Sequence, residues 1–284
     1  MKSLRVLNNM KEVVKRITDE FHITRDEAEL IVATLLGRPR FEMYADNTID
    51  GDTATMLSLK LIQLKKGIPI EYITKRVQFM DFLLAIYPGV FIPRVESEYF
   101  IELITQMIQS PPETILDIGT GCGALSIALA QVFPDVEIVA TDISSQALRN
   151  AAENIERFSL KERIVVRQSN LFENISSKFD LIVSNPPYIP VSRLQLLPKS
   201  VRNFEPIVAL NGGEKGVQFI KRLLSEGAQY LNIGGMMAIE IDADQVEVLT
   251  RILHEYHFAS FSFKKDLFGR FRYLFLGVFK DEKS

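Results

Sequence analysis

The chain is poor in the residues that build covalent and metal cross-links: Cys122 is its one cysteine and it has three histidines in 284 residues. A single cysteine excludes an internal disulfide and fits a reducing cytoplasm. The histidines are too few and too scattered for a usual metal cluster. His254 and His257 fall on one helix face, but no carboxylate or cysteine completes a site there, so ordinary helix surface is expected and no metal. No apolar run reaches the ~18 residues needed to cross a bilayer. No apolar stretch follows Met1-Lys2-Ser3-Leu4-Arg5-Val6, so no secretory leader is expected. A basic excess is also missing: the net charge is −3, which speaks against a broad nucleic-acid surface. The expected protein is cytoplasmic and monomeric, without membrane contact or direct nucleic-acid binding.

What is present is enough apolar residue, 47%, for a sizeable core, in a length that suggests about two domains. Residues 1–75 read as a small helical bundle. Val13, Val14, Ile17 and Phe21 recur at helix spacing. Thr24-Arg25-Asp26-Glu27 has the capping-box pattern and opens a second helix whose Ala28, Ile31 and Leu35 face inward and which Gly37 ends. Asp52 is placed to cap a third helix carrying Met56, Leu57, Leu61 and Leu64, closed by Lys65-Lys66-Gly67. Such a bundle either shields one side of a larger domain or recognises a protein substrate. Residues 76–93 then read as a β-hairpin linker, strand-like around the turn Tyr87-Pro88-Gly89. Pro93-Arg94-Val95-Glu96-Ser97-Glu98 opens a helix with carboxylates in its first turn, where the macrodipole favours them.

Within residues 94–284 the chain alternates strand and helix after residue 112. Strands are expected at 114–118, 137–141, 163–168, 179–184, 235–241, 258–264 and 273–279, and helices at 124–133, 145–158, 216–230 and 243–256. That alternation implies crossover connections and a largely parallel α/β sheet. The last two strands have no helix between them and are expected to pair as an antiparallel hairpin at one edge.

Two stretches carry the chemistry. Asp117-Ile118-Gly119-Thr120-Gly121-Cys122-Gly123 follows the apolar strand Thr114-Ile115-Leu116, and a glycine turn there lets a ligand approach the backbone without Cβ in the way. Asp142 ends the next strand, 23 residues after Gly119, where a carboxylate can accept hydrogen bonds from ribose hydroxyls. Gly119, Gly121 and Ala124 also satisfy the dinucleotide G-x-G-x-x-A form. Asp117 separates the two readings, because it would repel a pyrophosphate but attract the sulfonium and ammonium of S-adenosylmethionine, directly or through water. A capping role within the loop is the alternative for Asp117. For Cys122 a small side chain fitting the turn is expected, not a nucleophile.

Asn185-Pro186-Pro187-Tyr188 follows the apolar run Leu181-Ile182-Val183. Two prolines fix the backbone and present Asn185 in a defined direction. Its side-chain oxygen and the Pro186 carbonyl can accept both protons of an –NH₂ group, while Tyr188 can stack on a planar amide or base. An amide nitrogen is a poor nucleophile because its lone pair is delocalised. Hydrogen bonds accepted from its protons push electron density back, and positioning supplies much of the rest without a strong base. Together with the glycine turn, this points to a methyltransferase acting on a planar nitrogen.

At these residues the chain resembles the peptide chain release factor glutamine N5-methyltransferases, the HemK/PrmC family. The Asn-Pro-Pro-Tyr motif is shared with enzymes that methylate DNA adenine, so other segments carry the resemblance. Gly67-Ile68-Pro69-Ile70-Glu71-Tyr72-Ile73 is similar to the family's G-x-P-x-x-Y-I linker, and Pro88 to Glu98 to its P-G-V-L-I-P-R-P-E-T-E segment. Phe204-Glu205-Pro206, Ala209-Leu210, Gly212-Gly213 and Gly216 match its E-P-x-x-A-L-x-G-G-x-x-G stretch. Glu240, Gln245, Lys265-Asp266-Leu267, Gly269 and Arg272 match its closing strands. The resemblance spans about residues 60–278.

It implies a seven-stranded Rossmann-like class I methyltransferase sheet behind an N-terminal helical bundle that serves substrate-protein recognition. The implied cofactor is S-adenosyl-L-methionine, and the implied substrate is the glutamine of the Gly-Gly-Gln loop of release factors. Carried over, Asp117, Gly119, Thr120, Gly121, Cys122, Gly123, Asp142, Asn170, Leu171 and Asn185 meet the cofactor. Asn185, Pro186 and Tyr188 are catalytic, and with Pro187 and Arg94 they bind the substrate. A DNA, RNA or other protein amino-group methyltransferase is the alternative. Three departures stand out: Val95 replaces proline, Lys75 and Asp81 replace glycines, and Asn170-Leu171 replaces Asp-Trp, with loss of stacking on adenine. The 25 residues from 189 to 213 show no clear periodicity and carry Arg193, Lys199 and Arg202, as either a segment closing over a protein loop or a surface connection with scattered charge would.

Overall fold

A computed structural model describes residues 9–44, 49–256, 258 and 260–277, so His257 and residues 278–279 of the last expected strand lie outside the described residues. The chain divides into two units, Met1–Lys75 and Arg76–Ser284.

In the first unit, helices α1 (Met10–Phe21), α2 (Arg25–Leu36), α3 (Gly51–Lys65) and α4 (Ile70–Thr74) bury Val13, Val14, Ile17, Val32, Leu35, Leu57 and Leu61 in one apolar cluster. The capping box forms as its spacing predicts. The Glu27 carboxylate accepts the Thr24 N–H at 2.7 Å, and the Thr24 hydroxyl oxygen accepts the Glu27 N–H at 3.3 Å. The cap of α3 is Asp50, not Asp52. Asp50 has extended backbone, from which its carboxylate accepts the Asp52 and Thr53 N–H groups at 3.0 and 2.8 Å. Asp52 already lies inside the first turn, so it complements the dipole instead of capping it.

The second unit begins with a hairpin, β1 (Arg76–Phe79) and β2 (Phe82–Ala85), followed by α5 (Glu96–Met107). Then come β3 (Thr114–Ile118), α6 (Ala124–Val132), β4 (Glu137–Asp142), α7 (Ser145–Arg157), β5 (Ile164–Gln168) and β6 (Phe179–Ser184). After α8 (Val191–Leu194) and α9 (Lys199–Phe204), the chain closes with α10 (Gln218–Gly227), β7 (Leu231–Glu240), α11 (Val246–Leu253), β8 (Ser260–Lys265) and β9 (Phe271–Gly277). The hairpin belongs to this unit and is held to α7; it turns at Met80-Asp81 rather than at Tyr87-Pro88-Gly89, which follows β2. Asn154 accepts the Ala85 N–H at 2.7 Å and donates back to the Ala85 carbonyl at 2.9 Å.

The seven strands run in the order β5-β4-β3-β6-β7-β9-β8. The first five are parallel and the β8–β9 pair closes the edge antiparallel. Strands β3 and β6 are buried almost throughout, which is why they read as continuous apolar runs rather than alternating ones. Helix α6 is buried nearly all round, as its unbroken small and apolar residues require. The succession β3-β4-β5 grows one way and β6-β7 the other, so the order reverses between β3 and β6. A crevice is expected at such a point, beyond the C-terminal ends of the strands.

The hairpin apart, differences from the expected elements cluster at ends. The helix expected from 216 starts at Gln218 and finishes as a 3₁₀ turn, Ala228–Tyr230. The helix expected from 243 opens as a 3₁₀ turn, Ala243–Gln245, held by a capping box of Asp242 and Gln245. The aperiodic 189–213 stretch contains α8, α9 and a 3₁₀ turn at Ile207–Ala209, each too short to show a period.

Candidate active site

Register brings the two chemical turns together. Ile118 at the end of β3 pairs with Ser184 at the end of β6, so the glycine turn and Asn185-Pro186-Pro187-Tyr188 leave the sheet side by side. A cleft of about 1150 Å³, including its open mouth, lies over them. Its wall includes Gly119 to Cys122, Asp142, Asn170, Leu171, Ser184 and Asn185 to Pro187, with Phe79, Phe91, Ser97, Ile143, Pro206, Val208 and Phe219.

Gly119, Gly121 and Gly123 all have positive φ, at +77°, +58° and +86°, which L side chains rarely adopt. Where Gly121 lacks a side chain there is open space, so a ligand can lie directly on its backbone. Four of the turn's amides are already spent inside the protein. Gly119 and Thr120 N–H donate to the Thr141 carbonyl at 2.8 Å each, Gly121 N–H to the Asp142 carboxylate at 3.0 Å, and Gly123 N–H to the Thr120 carbonyl at 2.9 Å. A pyrophosphate needs such donors free. This turn withholds four of them, which speaks against the dinucleotide reading.

Asp117 stands behind the turn, fully buried and outside the cleft wall. One of its oxygens accepts from the Thr120 and Ser126 hydroxyls at 2.7 and 2.6 Å, so it braces the turn. Its other oxygen, Oδ1, has no hydrogen-bond partner among the described residues. Burial raises its pKa from 3.8 to about 6, against the two hydroxyl hydrogen bonds that lower it. Asp142 faces the cleft and also accepts the Ser144 N–H at 2.8 Å; burial raises its pKa too. Cys122 is buried, and burial pushes its thiol up to about 12, so it is not a nucleophile.

On the second turn, the Asn185 carboxamide donates through Nδ2 to the Ser97 hydroxyl at 3.2 Å, and Ser97 donates to the buried Glu240 carboxylate at 2.6 Å. Gln245, also buried, donates to the Tyr188 carbonyl at 2.9 Å and to the Gly216 carbonyl at 2.8 Å. A Cβ on Gly212 would stand 2.7 Å from the Pro187 carbonyl oxygen, and one on Gly216 would collide with that of Tyr188. The glycines after Leu210 are therefore the seat on which this turn rests.

Comparison with known proteins places these features in a family. The model of the Methyltransferase small domain matches residues 88–196. The release factor glutamine methyltransferase of Clostridium acetobutylicum is 31% identical over 94% of this chain and 94% of its own length. That of Rhodopirellula baltica is 36% identical over 76% of each chain, and that of Aquifex aeolicus 33% identical over 87% of this chain and 88% of its own. The chain belongs to the release factor glutamine methyltransferase family. Solved structures agree on the fold. A methyltransferase from Pyrococcus furiosus superposes with a TM-score of 0.55 at 21% identity, over 78% of this chain and 99% of that one. The T. thermophilus 16S rRNA N2 G1207 methyltransferase, in complex with AdoMet and guanosine, gives 0.52 at 19% identity over 72% of this chain and 49% of that one.

The residues of this family member fit S-adenosylmethionine as methyl donor. Asp142 offers carboxylate oxygen at the cleft wall, the bare backbone of Gly121 lets a ligand lie close, and the unpartnered Oδ1 of Asp117 leaves negative charge uncompensated behind the turn. The carboxylates suit a cation and the spent amides do not suit an anion.

Not every expected site residue faces the cleft. The Tyr188 ring packs against the sheet core rather than standing in the cleft wall, and burial beside Glu240 keeps its hydroxyl protonated. Arg94 is taken up by the buried Glu205 carboxylate and lies 4.7 Å over the Phe91 ring. Glu205 also accepts the Ile92 N–H at 3.3 Å, which ties the 189–213 stretch to the segment before α5. Asn170 and Leu171 do line the cleft, Asn170 held between Glu173 and Arg222 at 2.6 and 3.3 Å and Leu171, at φ +55°, also packed on the core. Sequence reasoning assigned no role to Ser97, Phe91, Ile143 or Val208. Phe91 and Ser97 lie inside the P-G-V-L-I-P-R-P-E-T-E match, which was their available signal; Val208 falls at an unspecified position of the E-P-x-x-A-L stretch, and Ile143 has no signal.

Proposed function

We propose that this protein transfers a methyl group from S-adenosylmethionine to the side-chain amide nitrogen, N5, of the glutamine in the Gly-Gly-Gln motif of peptide chain release factors. The observation that carries the reading is the orientation of Asn185. Its Nδ2 is bound to Ser97, which leaves Oδ1 as an acceptor at the cleft wall beside the glycine turn. A glutamine amide brings two N–H donors; Asn185 Oδ1 takes one and the Pro186 carbonyl the other. Both hydrogen bonds return electron density to a nitrogen whose lone pair is otherwise shared with its carbonyl.

When bound, S-adenosylmethionine supplies a methyl group on a positively charged sulfur. Gly121 gives it close backbone approach, Asp142 holds its ribose hydroxyls, and Asp117 contributes charge from behind. Pro206 and Val208, from the stretch held down by Glu205, wall the cleft and shelter the amide from water. Tyr188 acts through packing, anchoring the turn to the core. The helical first unit serves to recognise the body of the release factor.

Mass spectrometry of a release factor co-expressed with this protein tests the reading. One added methyl on the loop glutamine is expected, and an unmodified glutamine alongside labelled duplex DNA or RNA would favour the amino-group alternative. Asn185→Ala is expected to abolish transfer and leave cofactor affinity nearly unchanged, measured by calorimetric titration.

A further inference from the structure

We infer that Glu240 and Ser97 form an orientation lock that decides which end of the Asn185 carboxamide faces the cleft. The inference deepens the proposed function and rests on Asn185 being the acceptor for the substrate amide. A carboxamide has two ends of nearly equal size, one an acceptor and one a donor. Only the acceptor end is useful here, because an –NH₂ group facing another –NH₂ group makes no hydrogen bond. Something must forbid the half-turn that exchanges them.

The neighbours of Asn185 supply that restriction. Ser97, the second residue of α5, is buried, and its hydroxyl carries one proton. While Glu240 is ionised, that proton is spent on its carboxylate at the end of β7, 2.6 Å away and equally buried. Towards Asn185 the serine oxygen can then only accept, so it demands Nδ2, found at 3.2 Å. Oδ1 is left for the substrate. The carboxylate thus sets the polarity of a group it does not touch, through one hydroxyl.

Tertiary structure holds the three partners rigidly. Parallel pairing of Ser184 with Ile239 carries Glu240 alongside the turn that follows β6. Antiparallel pairing sets Glu240 opposite Tyr273, whose hydroxyl donates to the Glu96 carbonyl at 2.7 Å and pins the first turn of α5 beside Ser97. Ser97 and Glu240 are positioning residues, since neither is asked to meet the reacting nitrogen.

The test uses the full chain with Ser97→Ala, Ser97→Thr and Glu240→Gln. Ser97→Ala is expected to lower kcat for release factor about 10- to 100-fold, with the calorimetric Kd for S-adenosylmethionine close to wild type and a lowered melting temperature, because the buried Glu240 carboxylate loses its donor. Ser97→Thr keeps the hydroxyl and is expected to restore turnover. Glu240→Gln can donate to Ser97, which frees the serine proton for Asn185 Oδ1 and reverses the amide, so its turnover is expected to fall as well. In the wild-type protein with ¹⁵N-labelled asparagine, the side-chain amide protons of Asn185 are expected to show a nuclear Overhauser contact to the Ser97 β protons, lost in Glu240→Gln. Ser97→Ala turning over like wild type, Ser97→Thr no better than Ser97→Ala, or no contact between that amide and Ser97 would each overturn the lock. A wild-type protein that shows the contact but leaves release factor unmethylated would refute the substrate assignment alone.

Discussion

Asn154→Ala should be the most damaging single truncation near the cleft, although the side chain never reaches it. Asn154 is fully buried on α7 and makes three hydrogen bonds to backbone, accepting from Ala85 N–H at 2.7 Å and donating to the Ala85 and Cys122 carbonyls at 2.9 Å each. One side chain therefore joins the hairpin to the glycine turn. Truncation orphans the Ala85 N–H and the Cys122 carbonyl, whereas the Ala85 carbonyl keeps Asn150 at 2.9 Å. At about 1–3 kcal/mol for each buried group left unmet, the loss is about 2–6 kcal/mol. That is a large share of the roughly 5–15 kcal/mol that holds a domain folded. Because the chain has two units, scanning calorimetry should follow the transition of the second unit rather than one global midpoint. A loss near the middle of that range lowers its midpoint by about 8–16 °C. Asn150→Ala is the control: the Ala85 carbonyl keeps Asn154, and only the weaker Tyr87 N–H contact at 3.3 Å loses its acceptor. Equal midpoints for the two variants, or an Asn154→Ala midpoint within about 2 °C of wild type, would show that backbone satisfaction at this joint is not what holds the hairpin to the turn.

Three further outcomes follow from the same structure. Gly216→Ala, at φ +73° and against the Tyr188 carbonyl, should cost at least about 2 kcal/mol and reduce turnover more than cofactor affinity, read by melting and calorimetry. Lys75→Gly should stabilise by up to about 1 kcal/mol, since Lys75 ends α4 at φ +57° where the resembling family has glycine; an unchanged or lower midpoint would contradict this. The pH dependence concerns Glu240, which burial raises from 4.5 to about 7, and Asp117, raised by burial from 3.8 to about 6. Glu240 is faced by Ser97 and Glu96 of α5, by Arg94 and by Arg272 of β9; Asp117 is faced by Thr120, Ser126 and Asp142. A raised carboxylate binds its proton more tightly when folded, so its contribution is complete below the unfolded pKa and disappears as pH rises through the folded one. At about 1.4 kcal/mol per pH unit each group is worth about 3 kcal/mol. Asp180 and Asp266, lowered in the fold, act in the opposite direction on acidification. The clean reading is therefore a difference: Glu240→Gln should gain stability relative to wild type as pH rises from about 5 to about 8, and a constant difference across that range would refute the assignment.

Local chemistry made much of this protein legible from its residues. The Thr24–Glu27 capping box, the end of α2 at Gly37 and the seven alternating strands all follow from interactions within a few residues or from a repeated period. The glycine turn and the Asn-Pro-Pro-Tyr turn were also visible, because each is a contiguous run whose backbone is restricted by its own residue types.

Reading went astray where two local solutions compete or where partners come from far along the chain. Asp50 and Asp52 are both plausible caps for α3, and only the helix start distinguishes them. Asp117 and Tyr188 have the right chemistry for the cleft wall, but the packing of the sheet turns both away from it. Ser97, Asn185 and Glu240 are separated by 88 and 143 positions in the bonds that join them, and Asn154 reaches Ala85 across 69. A hydrogen bond of that span has no period and no neighbour to announce it. Sequence alone determined which backbone turns exist and which strands they follow. Only the closing of the sheet, which set β3 beside β6 and β7 beside both α5 and β9, decided which atom of each side chain meets the cleft.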